Sequence, residues 1–211
     1  MSLKLLEKET LPSGWILLSL NEPRKKKSRS FNPSREPDKT LELYSVPSHK
    51  TKSPEVVHSS EIGSNKQYVE PGEVLISKIN PRLNRVWVVG NKTSFEKIAS
   101  TEWIVFSKSE YIESSFLDYL LQSFQIRDYL AHNASGVGGS LMRVKPSLVD
   151  SVSIGLPPIN EQKRIVAKIE ALFAELDAGV ASLELAQAQL QTYRQALLKH
   201  AFEGKLTAQW R

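Results

Sequence analysis

Cysteine is absent from the chain, which removes disulfides, thiolate nucleophiles and cysteine-ligated zinc. Long apolar runs are missing too. No stretch approaches the ~20 residues needed to span a bilayer, and no charged-then-apolar leader marks the chain for export. Histidine is scarce, and the four residues His49, His58, His132 and His200 are scattered without metal-ligand spacing. There is no P-loop Gly-Lys-Ser/Thr, no nucleophile elbow and no methyltransferase-like Asn-Pro-Pro-Tyr. Pro37-Asp38 and Glu161-Gln162-Lys163 superficially evoke a nuclease carboxylate-and-lysine set. Such short patterns recur by chance, and the second falls in the first turn of an expected helix. The reading is of a cytoplasmic, non-catalytic protein that binds no metal or cofactor itself.

What is present is a chain of 211 residues with a formal net charge of +5, long enough for one ordinary domain and an extension. The charge is unevenly placed. Before Asn160 there are 21 Lys and Arg against 17 Asp and Glu; from Asn160 onward there are 7 against 6. The excess is sharpest in NEPRKKKSRSFNPSREPDK, Asn21 to Lys39, with seven cations and three acids. Such a surface attracts polyanions, nucleic acid foremost, and a solvated loop without a ligand is the even alternative.

Strands are expected over GWILLSL (Gly14 to Leu20), LELYSV (Leu41 to Val46), GEVLISKI (Gly72 to Ile79), RVWVVG (Arg85 to Gly90) and WIVFS (Trp103 to Ser107). Residues Ser114 to Ala131 place Phe116, Leu120 and Phe124 at helical spacing. A glycine-rich loop, SGVGGS (Ser135 to Ser140), follows. It lacks the strand-and-helix frame of a dinucleotide site, so a loop near a DNA backbone and a helix-ending turn both stay open. SLVDSVSIGLP then reads as a last strand. The expected fold is a mixed α+β domain, residues 1–158, followed by a long coiled-coil-forming helix in 159–211.

Two places carry recognition chemistry. ISKINPRLNRVW sets Lys78, Asn80, Arg82, Asn84 and Arg85 at or beside a turn between two apolar strands. Arginine bonds the major-groove face of guanine twice, and asparagine does the same for adenine. An ordinary polar turn shaped by Asn80-Pro81 is the competing explanation. The other place is the stretch LPPINEQKRIVAKIEALFAELDAGVASLELAQAQL, Leu156 to Leu190. After two prolines, Asn160 is expected to cap a helix and Glu161 to suit its positive end. Ile169, Leu176, Leu183, Leu190 and Leu197 recur every seven residues, and Ile165, Leu172, Gly179, Ala186 and Tyr193 form the second row. A helix from Asn160 to His200 would be roughly 60 Å long. Its apolar stripe needs a partner that the rest of the chain does not offer.

Together these segments resemble the specificity (S) subunit of type I restriction-modification systems. The strongest carriers are LPPINEQKRIVAKIEALFAELD and YRQALLKHAFEGKLTAQWR, which look like that family's conserved region ending in a Gly-Lys-Leu-Thr segment. LPSGWILLSL, VEPGEVLISKINPRLNRVWVV and SGVGGSLMRVKPSLVDSVSIGLPP resemble pieces of its target-recognition domain. The resemblance implies a domain that reads one half of a bipartite DNA site and a helical spacer that pairs with a second helix. It also implies partner subunits for modification and restriction, on which S-adenosylmethionine, ATP and Mg would act.

On that basis Lys25, Lys26, Lys27 and Arg29 are expected on DNA phosphates. Lys78, Asn80, Arg82, Asn84 and Arg85 are the base-contact candidates, with Ser140 and Arg143 as outlying ones. Ile165, Ile169, Leu172, Leu176, Leu183, Ala186, Leu190, Tyr193 and Leu197 are expected at a helix interface, which makes a homodimer if the chain is a half-sized subunit. The first half of a longer subunit is the other possibility. Gly179 and Ala186 would allow close helix approach, or Val180 would take over the packing of a locally weak seam. A coiled-coil adaptor whose head binds protein predicts the same dimer without DNA preference.

Overall fold

The computed structural model describes residues 3, 10–25, 27–136 and 142–210, so Lys26 and Ser140 lie outside the described residues, as does most of the glycine loop. The chain forms two compact units, Met1–Val166 and Ala167–Arg211.

The first unit contains three sheets. Strand β1 (Ile16–Ser19) pairs antiparallel with β10 (Ser153–Leu156). A five-stranded sheet has the order β2-β5-β8-β3-β4, from Ser30–Phe31, Lys66–Val69, Glu96–Ser100, Thr40–Tyr44 and Glu55–His58. Only its β3–β8 pair is parallel. A three-stranded antiparallel sheet, β7-β6-β9, joins Val86–Val88, Val74–Ser77 and Trp103–Phe106.

Alternation along these strands explains the layering, because successive side chains point to opposite faces. Val74, Ile76, Val86, Ile104 and Phe106 face one core together with β1, β10 and residues from α1 (Ser114–Leu121), α2 (Phe124–His132) and α3 (Pro146–Asp150). Leu75, Trp87, Trp103 and Val105 face a second core, shared with Tyr44, Val69 and Ala99 of the five-stranded sheet. The far face of that sheet carries a third cluster, Phe31, Leu41, Leu43, Ile62 and Ile98. The three-stranded sheet is thus covered on both sides, which is why VLIS is buried at every position. Glu70-Pro71-Gly72-Glu73 makes the turn into β6, with Gly72 at φ 87° and the Glu73 N–H bonded to the Glu70 carbonyl at 3.1 Å.

Several sequence expectations need correction. The helix expected over Ser114 to Ala131 is two helices: Ser123 is extended and leads into α2, leaving Phe124 64% exposed beneath the Arg127 guanidinium. The expected last strand begins as helix α3, with Pro146 at its first turn where the missing N–H costs nothing. The polar connections contain three further strands, β4, β5 and β8.

Helix α4 (Ile159–Phe202) is 44 residues long, roughly 66 Å at 1.5 Å per residue. Asn160 lies inside its first turn instead of capping it, and the Pro158 carbonyl accepts the Glu161 and Gln162 N–H groups at 2.8 and 3.0 Å. A short 3-10 segment, Lys205–Trp210, follows. No described helix is long and apolar enough to cross a membrane.

The compact first unit includes the opening turns of α4. Val166 is buried in the main core, and Ile165 packs against it. Gln162 is fully buried. Its Oε1 accepts the Glu113 N–H (2.9 Å), and its Nε2 donates to the Tyr111 and Pro157 carbonyls (2.8 Å each). Gln162→Leu keeps the volume but leaves these three backbone groups unpaired. It is expected to lower stability by about 2 kcal/mol, read as a shift in the urea midpoint. An unchanged midpoint would show that the three bonds do not hold the helix start.

Candidate nucleic-acid interface

The hairpin between β6 and β7 is tied at both ends. Pro81–Leu83 forms one 3-10 turn flanked by Asn80 at φ 48° and Asn84 at φ 42°, the left-handed region that asparagine tolerates better than most residues. The Asn80 N–H donates to the Met142 carbonyl (2.8 Å), and the Asn84 side-chain amide donates to the Gln122 carbonyl (2.9 Å). Both asparagines therefore shape the turn. Arg82 stands exposed at its tip beside exposed Leu83, and half-buried Arg85 starts the return strand. Among the described residues neither arginine has an ion-pair partner.

Below the turn, His49 Nε2 and Lys52 Nζ both bond the Val86 carbonyl, at 2.9 and 2.6 Å. A carbonyl only accepts, so His49 carries its proton on Nε2. Burial foremost holds the His49 pKa below its ordinary value, with Lys52 and Arg85 pushing the same way against the Val86 carbonyl. Burial raises the carboxyl pKa of neighbouring Asp118, opposed by Lys52 and Gln122.

The basic run does not act as one patch. Arg24 makes a two-pronged pair with Asp150, its Nη2 lying 2.9 Å from Oδ2. Lys25 pairs with buried Glu73 at 2.7 Å. Arg29 lies over the Tyr68 ring, 3.7 Å from its centroid, and reaches Glu96 at 3.3 Å and Glu36 at 3.8 Å. The bond with Tyr68 is the main reason its guanidinium is held above its ordinary pKa. Lys39 joins the same carboxylates, at 2.6 Å from Glu96 and 3.0 Å from Glu36. Lys27 is exposed.

Lys78 is not at the hairpin tip. Its Nζ donates to the Thr101 carbonyl at 2.5 Å, and it lines a cleft with Lys25, Arg24, Lys66, Ser28, Ser30 and Gln67. Arg24 and Lys66 are not singled out by sequence: one leads a charge run and the other sits in a strand with no strong pattern. Arg143 is on the neighbouring segment, exposed, paired with Glu102 at 2.8 Å and bridged by its backbone to Ile79 and Ser135. The structure thus separates the candidates into a turn group (Arg82, Asn84, Arg85) and a cleft group (Lys25, Lys78), with Asn80 joining the segments between them.

In the second unit the heptad stripe lies open. Leu172, Leu176, Leu183, Leu190 and Tyr193 are 47–72% exposed, as is Val180 at 47%. Ala186 is exposed, Ile169 and Leu197 are half-buried, and a Cβ at Gly179 would meet nothing within 4 Å. Ile165, expected to open the seam, is instead part of the packing of the first unit. Its place is taken because the helix start must bury a face against the head before the stripe begins.

A layered α+β head continuing into a helix with an uncovered heptad stripe defines a class of two-part binding proteins. The sequence profile of the type I restriction modification DNA specificity domain matches residues 22–183, and the chain belongs to that family. The chain is 25% identical over 211 residues to the EcoDI specificity subunit of Escherichia coli, covering 97% of this chain and 45% of the relative. It is 33% identical over 107 residues to the EcoKI specificity subunit of Escherichia coli K12, covering 51% and 23%. The crystal structure of the HsdS subunit from Thermoanaerobacter tengcongensis superimposes with a TM-score of 0.68 at 26% identity, over 79% of this chain and 44% of that one. The chain spans less than half the length of the curated relatives it matches.

Proposed function

We propose that this chain reads DNA sequence for a type I restriction-modification enzyme, contacting one half of a bipartite site and acting by binding alone. The observation that carries the reading is a pair of guanidinium groups, Arg82 and Arg85, borne on an ordered turn without carboxylate partners in a chain of this family. Guanine recognition needs such a fork on a rigid support. The proposed partners are modification and restriction subunits working in the cytoplasm, and S-adenosylmethionine, ATP and Mg would serve them. The uncovered stripe of α4 is proposed to pair with a second copy, which would present two readers in opposite orientation.

Arg82→Ala and Arg85→Ala are each expected to cost about 1–3 kcal/mol on the preferred site and to relax one base position, while Lys27→Ala weakens all sequences alike. Competition binding with single-base site variants checks this. Unchanged base preference in both arginine variants would overturn the assignment. A protein-binding adaptor would show the self-association but no base preference at all, so the same series separates the two readings.

A further inference from the structure

Between strands β2 and β5 of the five-stranded sheet and β9 of the three-stranded sheet lies an open cleft of about 300 Å³. Four cations line it, Arg24, Lys25, Lys66 and Lys78, and no carboxylate does. The cations are not equivalent. Arg24 and Lys25 are answered from behind, by Asp150 and Glu73. Lys66 and Lys78 have no ion-pair partner among the described residues and bond only neutral oxygens. Lys66 Nζ donates to the carbonyl and hydroxyl of Ser64, at 2.8 Å each, and Lys78 Nζ to the Thr101 carbonyl.

An ammonium group has three N–H donors, so Lys78 keeps two and Lys66 one for a ligand. Burial weakens the hold of both groups on their protons. At Lys78, Arg143 and Arg24 add to that effect and Glu102 opposes it. A half-buried charge without a counter-charge is a cost that an entering anion removes. The supports are rigid. The Lys78 N–H bonds the Glu102 carbonyl and its carbonyl accepts the Val144 N–H, both at 2.8 Å, while Lys66 is held in the β2–β5 ladder opposite Phe31.

The cleft does not offer a base-stacking platform. Trp103 is 1% exposed and its indole N–H is committed to the Tyr44 carbonyl at 2.9 Å. What remains is a socket for a small, multiply accepting oxyanion.

We propose that this cleft seats a backbone phosphate of bound DNA, gripped by Lys66 and Lys78 over the fixed charges of Arg24 and Lys25. The inference rests on the DNA-reading function above, and names the place where the head takes hold of the duplex without reading it. Phosphate contacts of this kind set register and make affinity salt-dependent.

The test measures binding of the full chain to a mixed-sequence DNA duplex across a salt series, with sodium phosphate titrated in parallel. Lys66→Gln with Lys78→Gln is expected to weaken duplex binding roughly tenfold. It should also lower the slope of log K against log salt by about 0.9 for each phosphate no longer neutralised. Lys163→Gln with Lys168→Gln, which removes the same charge from exposed positions on α4, should leave the slope unchanged. Thermal melting of each variant, and the two single substitutions, distinguish a weakened grip on DNA from a failure to fold. A wild-type slope in a folded double variant would overturn the cleft while leaving the DNA reading intact. No duplex binding by the wild type would overturn both. Phosphate binding without duplex binding would show a free-anion site and so contradict the assignment to DNA.

Discussion

Leu176→Glu together with Leu183→Glu is expected to convert a self-associated chain into a monomer. The two residues are seven apart on α4, at 63% and 72% exposure, with Val180 between them on the same face. A two-fold pairing uses the stripe twice, so each substitution is felt at two places in the dimer. Burying a leucine contributes about 1.5–3 kcal/mol, and a carboxylate left at the seam adds the cost of a desolvated charge. Replacing four leucines therefore removes about 6–12 kcal/mol, more than four decades in the dissociation constant at 1.4 kcal/mol per decade. Sedimentation equilibrium over a concentration series reads this as the disappearance of the dimeric mass. A matched change on another face, Gln189→Glu, should leave the mass alone. If the unaltered chain is monomeric at every concentration, the stripe does not bind a second copy, and a helix from elsewhere would have to cover it.

The largest stability effect is expected from Lys97→Met. Glu42 of β3 and Lys97 of β8 are register partners in the parallel pair, both buried, with Nζ 3.6 Å from Oε2. The carboxylate also accepts from the Tyr44 hydroxyl at 2.6 Å and from the Thr93 hydroxyl. Burial foremost, aided by Glu42, raises the Tyr44 phenol above its ordinary pKa, so it remains a donor. Lys97 donates in addition to the Thr93 and Phe95 carbonyls, at 2.9 and 3.2 Å, which fixes the loop leading into β8. Methionine fills the space of the stem but leaves Glu42 as an uncompensated charge between two sheets. Removing one partner of such a pair costs about 3–5 kcal/mol, a large share of the ~5–15 kcal/mol that keeps a domain folded. Urea unfolding measures it, and Glu42→Gln with Lys97→Met should recover much of the deficit. A single-variant cost below about 1 kcal/mol would mean that the carboxylate finds water or another partner.

That pair also shows why parts of the fold are hidden in the sequence. LELYSV is legible as a strand, yet its alternation reads Glu42 as solvent-facing. It is buried because β3 is flanked by β8 and β4 and its inner face meets the three-stranded sheet. EKIAS carries two charges in five residues and shows no strand pattern, though tertiary pairing makes it central. KQYV and EVVH are too short for periodicity to speak. By contrast, the apolar runs around NPRLN and the long heptad stripe need no tertiary knowledge, because pattern length alone specifies them.

The candidate site is legible in the same uneven way. The hairpin lies where expected, since two strong strands must be joined by the turn between them. What the sequence does not assign is the partner of each cation. Arg24 and Lys25 turn toward Asp150 and Glu73, residues 126 and 48 positions away, while Lys27 stays exposed and Arg29 lies on Tyr68. A run of basic letters holds no record of such distant carboxylates. Lys66 needs the fold to bring it beside Lys78 at all.

Selection of bound sites from a random pool of DNA duplexes tests the central claim most directly. A sequence-reading dimer predicts enrichment of one half-site in two inverted copies, separated by a constant number of unread bases. A pool that emerges no different from its input, at salt concentrations where the duplex is still held, would contradict the account.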